Sequence, residues 1–223
     1  MLELSPRPHA VLVTGDLADT PGAREYERVR ELLAPLPMPV YVLGGNHDDR
    51  DALREYFALN GSTGKVGEPF RYSAAIGGLR LVVCDSTIPG RDEGQFDLEH
   101  RVWLEAELAF DTATPTVVAM HHLPVLTGIG PLDELGMPEP DRTALADVLA
   151  VNPQVRRVVA GHVHRGLFDV LGGCGVVACP STYLQAPLEI PGDELRLVPE
   201  PAGFLLHAVL GEELVSHLQP IQE

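Results

Sequence analysis

Four short apolar runs punctuate the chain, mostly β-branched and bounded by turn residues, and each ends in acids, amides or imidazoles. Residues 10–14 precede Gly15-Asp16-Leu17-Ala18-Asp19, and residues 40–43 precede Gly45-Asn46-His47-Asp48. Residues 116–120 precede His121-His122-Leu123-Pro124, and residues 155–160 precede Gly161-His162-Val163-His164. Short apolar runs of this kind predict buried strands. In open sheets with helical crossovers, ligands sit just beyond the carboxyl ends of the strands, so clusters that follow strands converge on one edge. The pattern therefore predicts one site assembled from four distant segments.

Between the runs, Thr20-Pro21 reads as an N-cap followed by proline at the first helical position. Tyr26, Val29, Leu32 and Leu33 follow at amphipathic spacing, and Pro35, Pro37 and Pro39 end the helix. Residues 50–59 read as a second helix, and residues 70–76 and 79–84 as a hairpin around Gly77-Gly78. A loop with Pro89, Gly90 and Gly94 leads into a helix at 97–110, with Leu98, Val102, Glu105 and Leu108 on its partly buried face. Residues 124–141 hold four prolines and three glycines and predict a long loop beside the third cluster, of the kind that shapes substrate choice. A helix at 141–150 and antiparallel strands at 167–171, 175–179, 203–210 and 213–218 complete the pattern. No repeat, low-complexity segment or linker divides it, so residues 1–223 are expected to form a single domain.

Composition agrees: 223 residues, 45% of them hydrophobic, support one domain with an ample core. No apolar stretch approaches the roughly 18 residues of a membrane span, and residues 1–9 lack the basic flank and apolar centre of a signal peptide. A cytoplasmic protein with no membrane partner is expected. The three cysteines, Cys84, Cys174 and Cys179, form no CxxC pair and read as reduced core thiols. The formal charge of −16 argues against a nucleic acid polymer as partner. Small phosphate esters stay open, because a bound divalent ion reverses the local sign of the field.

Asp16, Asn46, His121, His162 and His164 offer carboxylate, amide and imidazole donors without thiolate. That set favours manganese, iron, cobalt or zinc over copper(I), and the imidazoles argue against a plain calcium or magnesium site. In a phosphoesterase such a site binds phosphoryl oxygens and lowers the pKa of a water toward ~7. In-line attack also needs an acid for the leaving oxygen, and His47, beside Asn46 and oriented by Asp48, suits that role. Taken singly, Asp16, Asp19 and Asp48 read as turn formers or caps, and His121 and His164 as satisfied, partly buried imidazoles. Their recurrence after four successive strands turns the balance toward a metal site. His9, His100, His207 and His217 lack that context and read as surface or packing residues, and Trp103 as a core anchor. Ser181 and Thr182 read equally as phosphate contacts or as a turn.

The ordered series Gly-Asp-x-x-Asp (15–19), Gly-Asn-His-Asp (45–48), Val118-x-x-His121 and Gly161-His-x-His164 resembles the calcineurin-like metallophosphoesterase superfamily over nearly the whole chain. Asp85-Ser-Thr-Ile-Pro-Gly90 with Gly94 and Trp103, and Cys179-Pro-Ser-Thr-Tyr-Leu-Gln185, resemble the bacterial class III cyclic nucleotide phosphodiesterases, relatives of the glycerophosphodiesterases. The resemblance implies an α/β fold, a four-layer α/β/β/α sandwich with a dinuclear centre of Mn, Fe or Zn. Asp16 would bridge both metals, Asn46, His121 and His162 would complete the second metal site, and His164 would serve the first. His47 would be the acid or transition-state donor, Asp48 and Asp19 its outer partners, with His122 beside the site.

One departure stands out. The family begins with a strand ending in Asp-x-His, which supplies further ligands of the first metal, and residues 1–14 contain no such motif. His9 is no substitute, since Arg7 rather than an acid stands two residues before it. The expectation is an N-terminally truncated sandwich that holds one metal well through Asp16, Asn46, His121 and His162 and turns over slowly. Its open strand edges would favour aggregation or a swapped homodimer. The expected function is metal-dependent hydrolysis of a small phosphodiester, with 3′,5′-cyclic AMP as the family-based choice. The alternatives are a broader esterase for 2′,3′-cyclic nucleotides or glycerophosphodiesters, and a non-catalytic scaffold of the same fold.

Overall fold

The computed structural model describes residues 3–57, 64–211 and 213–221. In chain order its elements are β1 (Val11–Val13), α1 (Ala23–Leu33), β2 (Val40–Val42), α2 (Arg50–Tyr56), β3 (Tyr72–Ile76), β4 (Leu79–Val83) and α3 (Leu98–Phe110). There follow β5 (Thr116–Ala119), α4 (Gly130–Glu134), α5 (Glu139–Ala150), β6 (Val155–Ala160), β7 (Leu167–Leu171), β8 (Cys174–Ala178), β9 (Gly203–Leu210) and β10 (Glu213–Pro220).

The β-branched runs build a six-stranded sheet in the order β3-β4-β5-β6-β8-β7. Its four inner strands are parallel, and the antiparallel β3 and β7 close its edges. Because side chains alternate across a pleat, the register sorts valines into two rows. Val82, Val118, Val158 and Val176 align on one face, and Val83, Ala119, Val159 and Val177 on the other. The first row packs against Leu104 and Leu108 of α3 and Leu145, Val148 and Leu149 of α5. The second row packs against β1, β2 and Leu205 and Leu214 of the β9-β10 hairpin, and Tyr26 of α1 and Leu53 of α2 close this core. The layers thus run helix, sheet, sheet, helix.

The second sheet layer is in two pieces: a parallel pair, β1-β2, and an antiparallel pair, β10-β9. No ladder joins them among the described residues. None of the helices among these residues is long and apolar enough to cross a membrane.

Several local expectations need correction. The N-cap of α1 is Gly22, not Thr20, because the Glu25 carboxylate in the first turn takes the N–H groups of Asp19 (3.1 Å) and Thr20 (3.3 Å). The buried stripe of α3 is His100, Leu104 and Leu108, while Leu98 and Val102 are 74% and 56% exposed. His100 can be buried because its Nδ1 bonds Asp97 Oδ1 at 2.7 Å. The stretch 124–141 is not all loop: it holds α4, and α5 begins at Glu139, each with proline in its first turn, where no N–H is missed. The second helix is described to Tyr56, and residues 58 and 59 lie outside the described residues.

His207 sits on the inner face of the β9-β10 hairpin, its Nδ1 2.8 Å from Ser216 Oγ. Burial, and then the charge of Arg157, push its pKa down to about 4. In the unfolded chain the ring takes its proton near 6.5, so acid favours unfolding. The contribution is fully present above pH 6.5 and is lost as the pH falls toward 4. We expect urea-unfolding stability to drop across this window by up to about 3 kcal/mol more in the wild type than in His207→Asn.

Candidate metal centre

The carboxyl ends of β1, β2, β5 and β6 all open into short loops, and these loops meet. His121 O accepts from Gly161 N at 3.0 Å, tying the turns after β5 and β6. Asp16, His162 and His164 adopt left-handed backbone, with φ of 52°, 66° and 46°. Such conformations cost non-glycine residues about 1–3 kcal/mol and persist where surrounding contacts enforce them. Gly45 permits the closest approach, since a Cβ there would lie 2.1 Å from Asp16 Oδ1.

Four atoms converge in the space so enclosed. His121 Nε2 is 3.2 Å from Asp16 Oδ2 and 3.1 Å from Asn46 Oδ1, and His162 Nδ1 is 3.1 Å from Asn46 Oδ1 and 3.3 Å from His121 Nε2. The outer nitrogens face carbonyls: His121 Nδ1 is 2.7 Å from Thr14 O, and His162 Nε2 is 3.1 Å from Leu135 O. A carbonyl only accepts, so each ring holds an N–H outward. In the neutral rings both inner nitrogens then present lone pairs to each other and to two oxygens, an arrangement that calls for a cation. Asp16, His121 and His162 offer ligand atoms close enough to hold a metal ion together, with Asn46 beside them as a fourth donor, and nitrogen–oxygen sets of this kind suit a first-row divalent ion.

The titration tendencies follow from this crowding: a proton is favoured on His121 and disfavoured on His162. Burial lowers the His121 pKa, but the charge and hydrogen bond of Asp16 outweigh it and the net shift is upward. Burial alone would raise the Asp16 carboxyl, yet His121 and the His47 N–H hold it well below the usual carboxylate range. His162 is pushed down to about 3, first by burial and then by the charge of His121.

His164 stands outside this group, with Nδ1 2.9 Å from Leu184 O. Of the two residues expected to serve the first metal, Asp16 joins the group and His164 does not. His47 Nδ1 lies 3.0 Å from Asp19 O and 3.8 Å from Asp19 Oδ1, which leaves Nε2 for solvent or substrate. The Asp48 role needs correction: its carboxylate does not orient His47. It accepts from Leu17 N (3.1 Å), Ala18 N (3.2 Å), Gly45 N (2.9 Å) and Tyr26 Oη (3.2 Å), so it clamps the β1 and β2 loops together. Asp19 is the residue that orients His47.

His122 is buried, with Nδ1 2.9 Å from Ser86 Oγ and Nε2 3.0 Å from Asp92 O, so both nitrogens are committed to the loop after β4. Burial, and then the charges of His121 and His162, hold its pKa well down. Ser181 Oγ accepts from Tyr183 N at 3.1 Å, closing a turn. The Thr14 and Leu135 carbonyls were missed because backbone groups leave no residue-type signal. Asp92, whose Oδ1 is 3.5 Å from Asn46 Nδ2, lies between Gly90 and Gly94 and is not one of the motif residues.

A family model described as calcineurin-like phosphoesterase matches residues 2–166. The chain belongs to this family. It is 34% identical over 197 residues to a probable cyclic nucleotide phosphodiesterase of a Synechococcus strain, covering 88% of this chain and 74% of that one. It is 31% identical over 222 residues to a probable glycerophosphodiester phosphodiesterase GpdQ of Arcobacter nitrofigilis, covering 96% and 78%. To the 3′,5′-cyclic adenosine monophosphate phosphodiesterase CpdA of Pseudomonas aeruginosa it is 34% identical over 187 residues, covering 81% and 63%. The phosphoesterase fold recurs in a dimetal phosphatase from Danio rerio, with a TM-score of 0.68 at 16% identity over 97% of this chain and 82% of that one. It recurs also in the purple acid phosphatase PPD1 of yellow lupin, with a TM-score of 0.70 at 17% identity over 95% and 44%.

Two substitutions test the geometry. Gly45→Ala should weaken Mn2+ binding, read by titration calorimetry, by at least about tenfold, as its methyl displaces Asp16. Asp48→Ala should lower unfolding stability by at least about 2 kcal/mol, because it leaves N–H groups of two loops without an acceptor.

Proposed function

We propose that this phosphoesterase hydrolyses a small phosphodiester, with 3′,5′-cyclic AMP the first substrate to test. The observation that carries the reading is the convergence of Asp16 Oδ2, Asn46 Oδ1, His121 Nε2 and His162 Nδ1 at the strand ends. When bound there, a divalent ion (Mn, Fe or Zn) supplies Lewis acidity and lowers the pKa of water toward neutrality.

The protein's own residues do the rest. Asp16 and Asn46 fix the oxygen side of the pocket, and the two imidazoles, locked by Thr14 and Leu135, fix the nitrogen side. His47 is the proton donor to the leaving oxygen. Its Nδ1 is anchored on the Asp19 carbonyl and the Asp19 carboxylate stands nearby, so an imidazolium there is compensated on one side and presents Nε2 on the other. The names of the relatives support a diester, both cyclic nucleotide and glycerophosphodiester. The formal charge of −16 supports a small substrate over a polymer. Free cysteines at 84, 174 and 179 fit a reducing cytoplasmic setting. One ion is held tightly, because four donors share one pocket while His164 lies apart.

With Mn2+ added, the wild-type chain should hydrolyse bis(p-nitrophenyl) phosphate and cyclic AMP. His47→Ala should lower kcat by about 10²–10⁴-fold with Mn2+ affinity unchanged. Asn46→Ala should lose both binding and turnover. Wild type and His47→Ala equally inert while binding the ion would instead favour the scaffold reading. Metal analysis should find about one ion per chain, and two tightly held ions would overturn the single-ion part.

A further inference from the structure

His162 sits on left-handed backbone at φ 66°, after the last residue of β6, where no ladder constrains its ring. One contact decides which nitrogen turns inward: Nε2 against the Leu135 carbonyl at 3.1 Å. Leu135 is the C-cap that follows α4, and α4 is only five residues long. A helix of that length has no stability of its own in water, so its carbonyls point where outside contacts hold them.

The described residues show what holds it. Asp133 Oδ1 accepts from both the N–H and the hydroxyl of Thr127, each at 2.7 Å, and Asp133 Oδ2 accepts from Gly128 N at 3.1 Å. Thr127 Oγ1 in turn accepts from Ile129 N at 2.9 Å. These bonds tie the entry of α4 to a residue two before Leu135. Buried Leu132 and Met137 anchor the segment, and Gly130 N donates to Pro191 O (2.6 Å), Gly94 N to Gly136 O (3.3 Å) and Arg142 Nη1 to Met137 O (2.6 Å); the Asp133 bonds act from within α4 itself, two residues before the Leu135 carbonyl.

We propose that Asp133 is a positioning residue for the metal centre, holding the Leu135 carbonyl against His162 Nε2 so that Nδ1 faces the ion. The inference rests on the reading of His162 as a ligand. It differs from a purely structural role because removing Asp133 must then disturb His162 in particular. Without the carbonyl in place, neither nitrogen of His162 is required to keep the proton, and the ring samples an orientation that offers N–H to the pocket.

The test compares wild type, Asp133→Ala, His162→Ala and the double variant, using the full chain, Mn2+ titration calorimetry and urea unfolding of each ion-free protein. Asp133→Ala should bind Mn2+ about 10–100-fold more weakly. The double variant should bind no more weakly than His162→Ala, since both changes act on one group. Proton–nitrogen NMR of the ion-free chain should show His162 as the Nε2–H tautomer in wild type and as a mixture in Asp133→Ala. Thr127→Val, which removes only the hydroxyl, should weaken binding in the same direction by less, and it serves if Asp133→Ala does not fold. Asp111→Ala removes a comparable staple at the far end of α3, on Ala113 N and Thr114 N at 3.0 Å each, and should leave Mn2+ affinity unchanged. Wild-type affinity in Asp133→Ala, or a loss that adds in full to that of His162→Ala, overturns the proposal. A wild-type chain that binds no Mn2+ overturns the ligand reading, and the proposal with it.

Discussion

Acceptor atoms that face one another inside a protein repel, and the rest of this structure is arranged around a place where, with the imidazoles neutral, four of them do. Asp16 Oδ2, Asn46 Oδ1, His121 Nε2 and His162 Nδ1 come within 3.1–3.3 Å of a neighbour. Such crowding survives only if each member is held from behind. Thr14 O and Leu135 O hold the rings, and the Asp48 carboxylate locks the loops that deliver Asp16 and Asn46. The strained backbone of Asp16 and His162 is sustained by the same contacts.

The two faces of the large sheet divide the labour. The face covered by α3 and α5 is a plain apolar core. The opposite face supports β1 and β2, strands of three residues each, too short to be stable alone. They pack in one core with Tyr26, Leu53 and Tyr72, and Tyr72 Oη donates to Val42 O at 2.7 Å. Two of the four ligand loops thus hang from small strands whose position depends on side-chain packing more than on a continuous ladder.

Much of this was legible in the residues. The β-branched runs, the clusters behind them and the helices other than α4 follow from periodicity and turn chemistry, and His121, His162, Asp16 and Asn46 come together as their positions after strands imply. What could not be read was hydrogen bonding that substitutes one partner for another. His100 counts as polar in a periodicity argument, so the stripe of α3 was placed on Leu98 and Val102. The Asp97 carboxylate, which makes burial of His100 tolerable, is visible only in three dimensions. Thr20 has the chemistry of a cap, but the cap position falls to Gly22, and the Thr20 N–H is itself bonded by Glu25. Asp48 stands next to His47 in sequence, yet its carboxylate points back to the β1 loop, and Asp19, 28 residues away, meets the ring instead. Proline and glycine density concealed α4, whose short turn sets the second imidazole.

The left-handed turns at Asp16, His162 and His164 also limit how such a centre can drift over generations. Asn, Asp and Gly enter that conformation readily, whereas Val, Ile and Thr do so at high cost. A point change from imidazole to carboxylate or amide at residue 162 is therefore open to the backbone, and it would bias the pocket from borderline ions toward harder, oxygen-preferring ones. Changes toward β-branched residues are closed there irrespective of the metal. The geometry of the turn, rather than the chemistry of the ion, decides which ancestral or descendant variants of this site are reachable in one step.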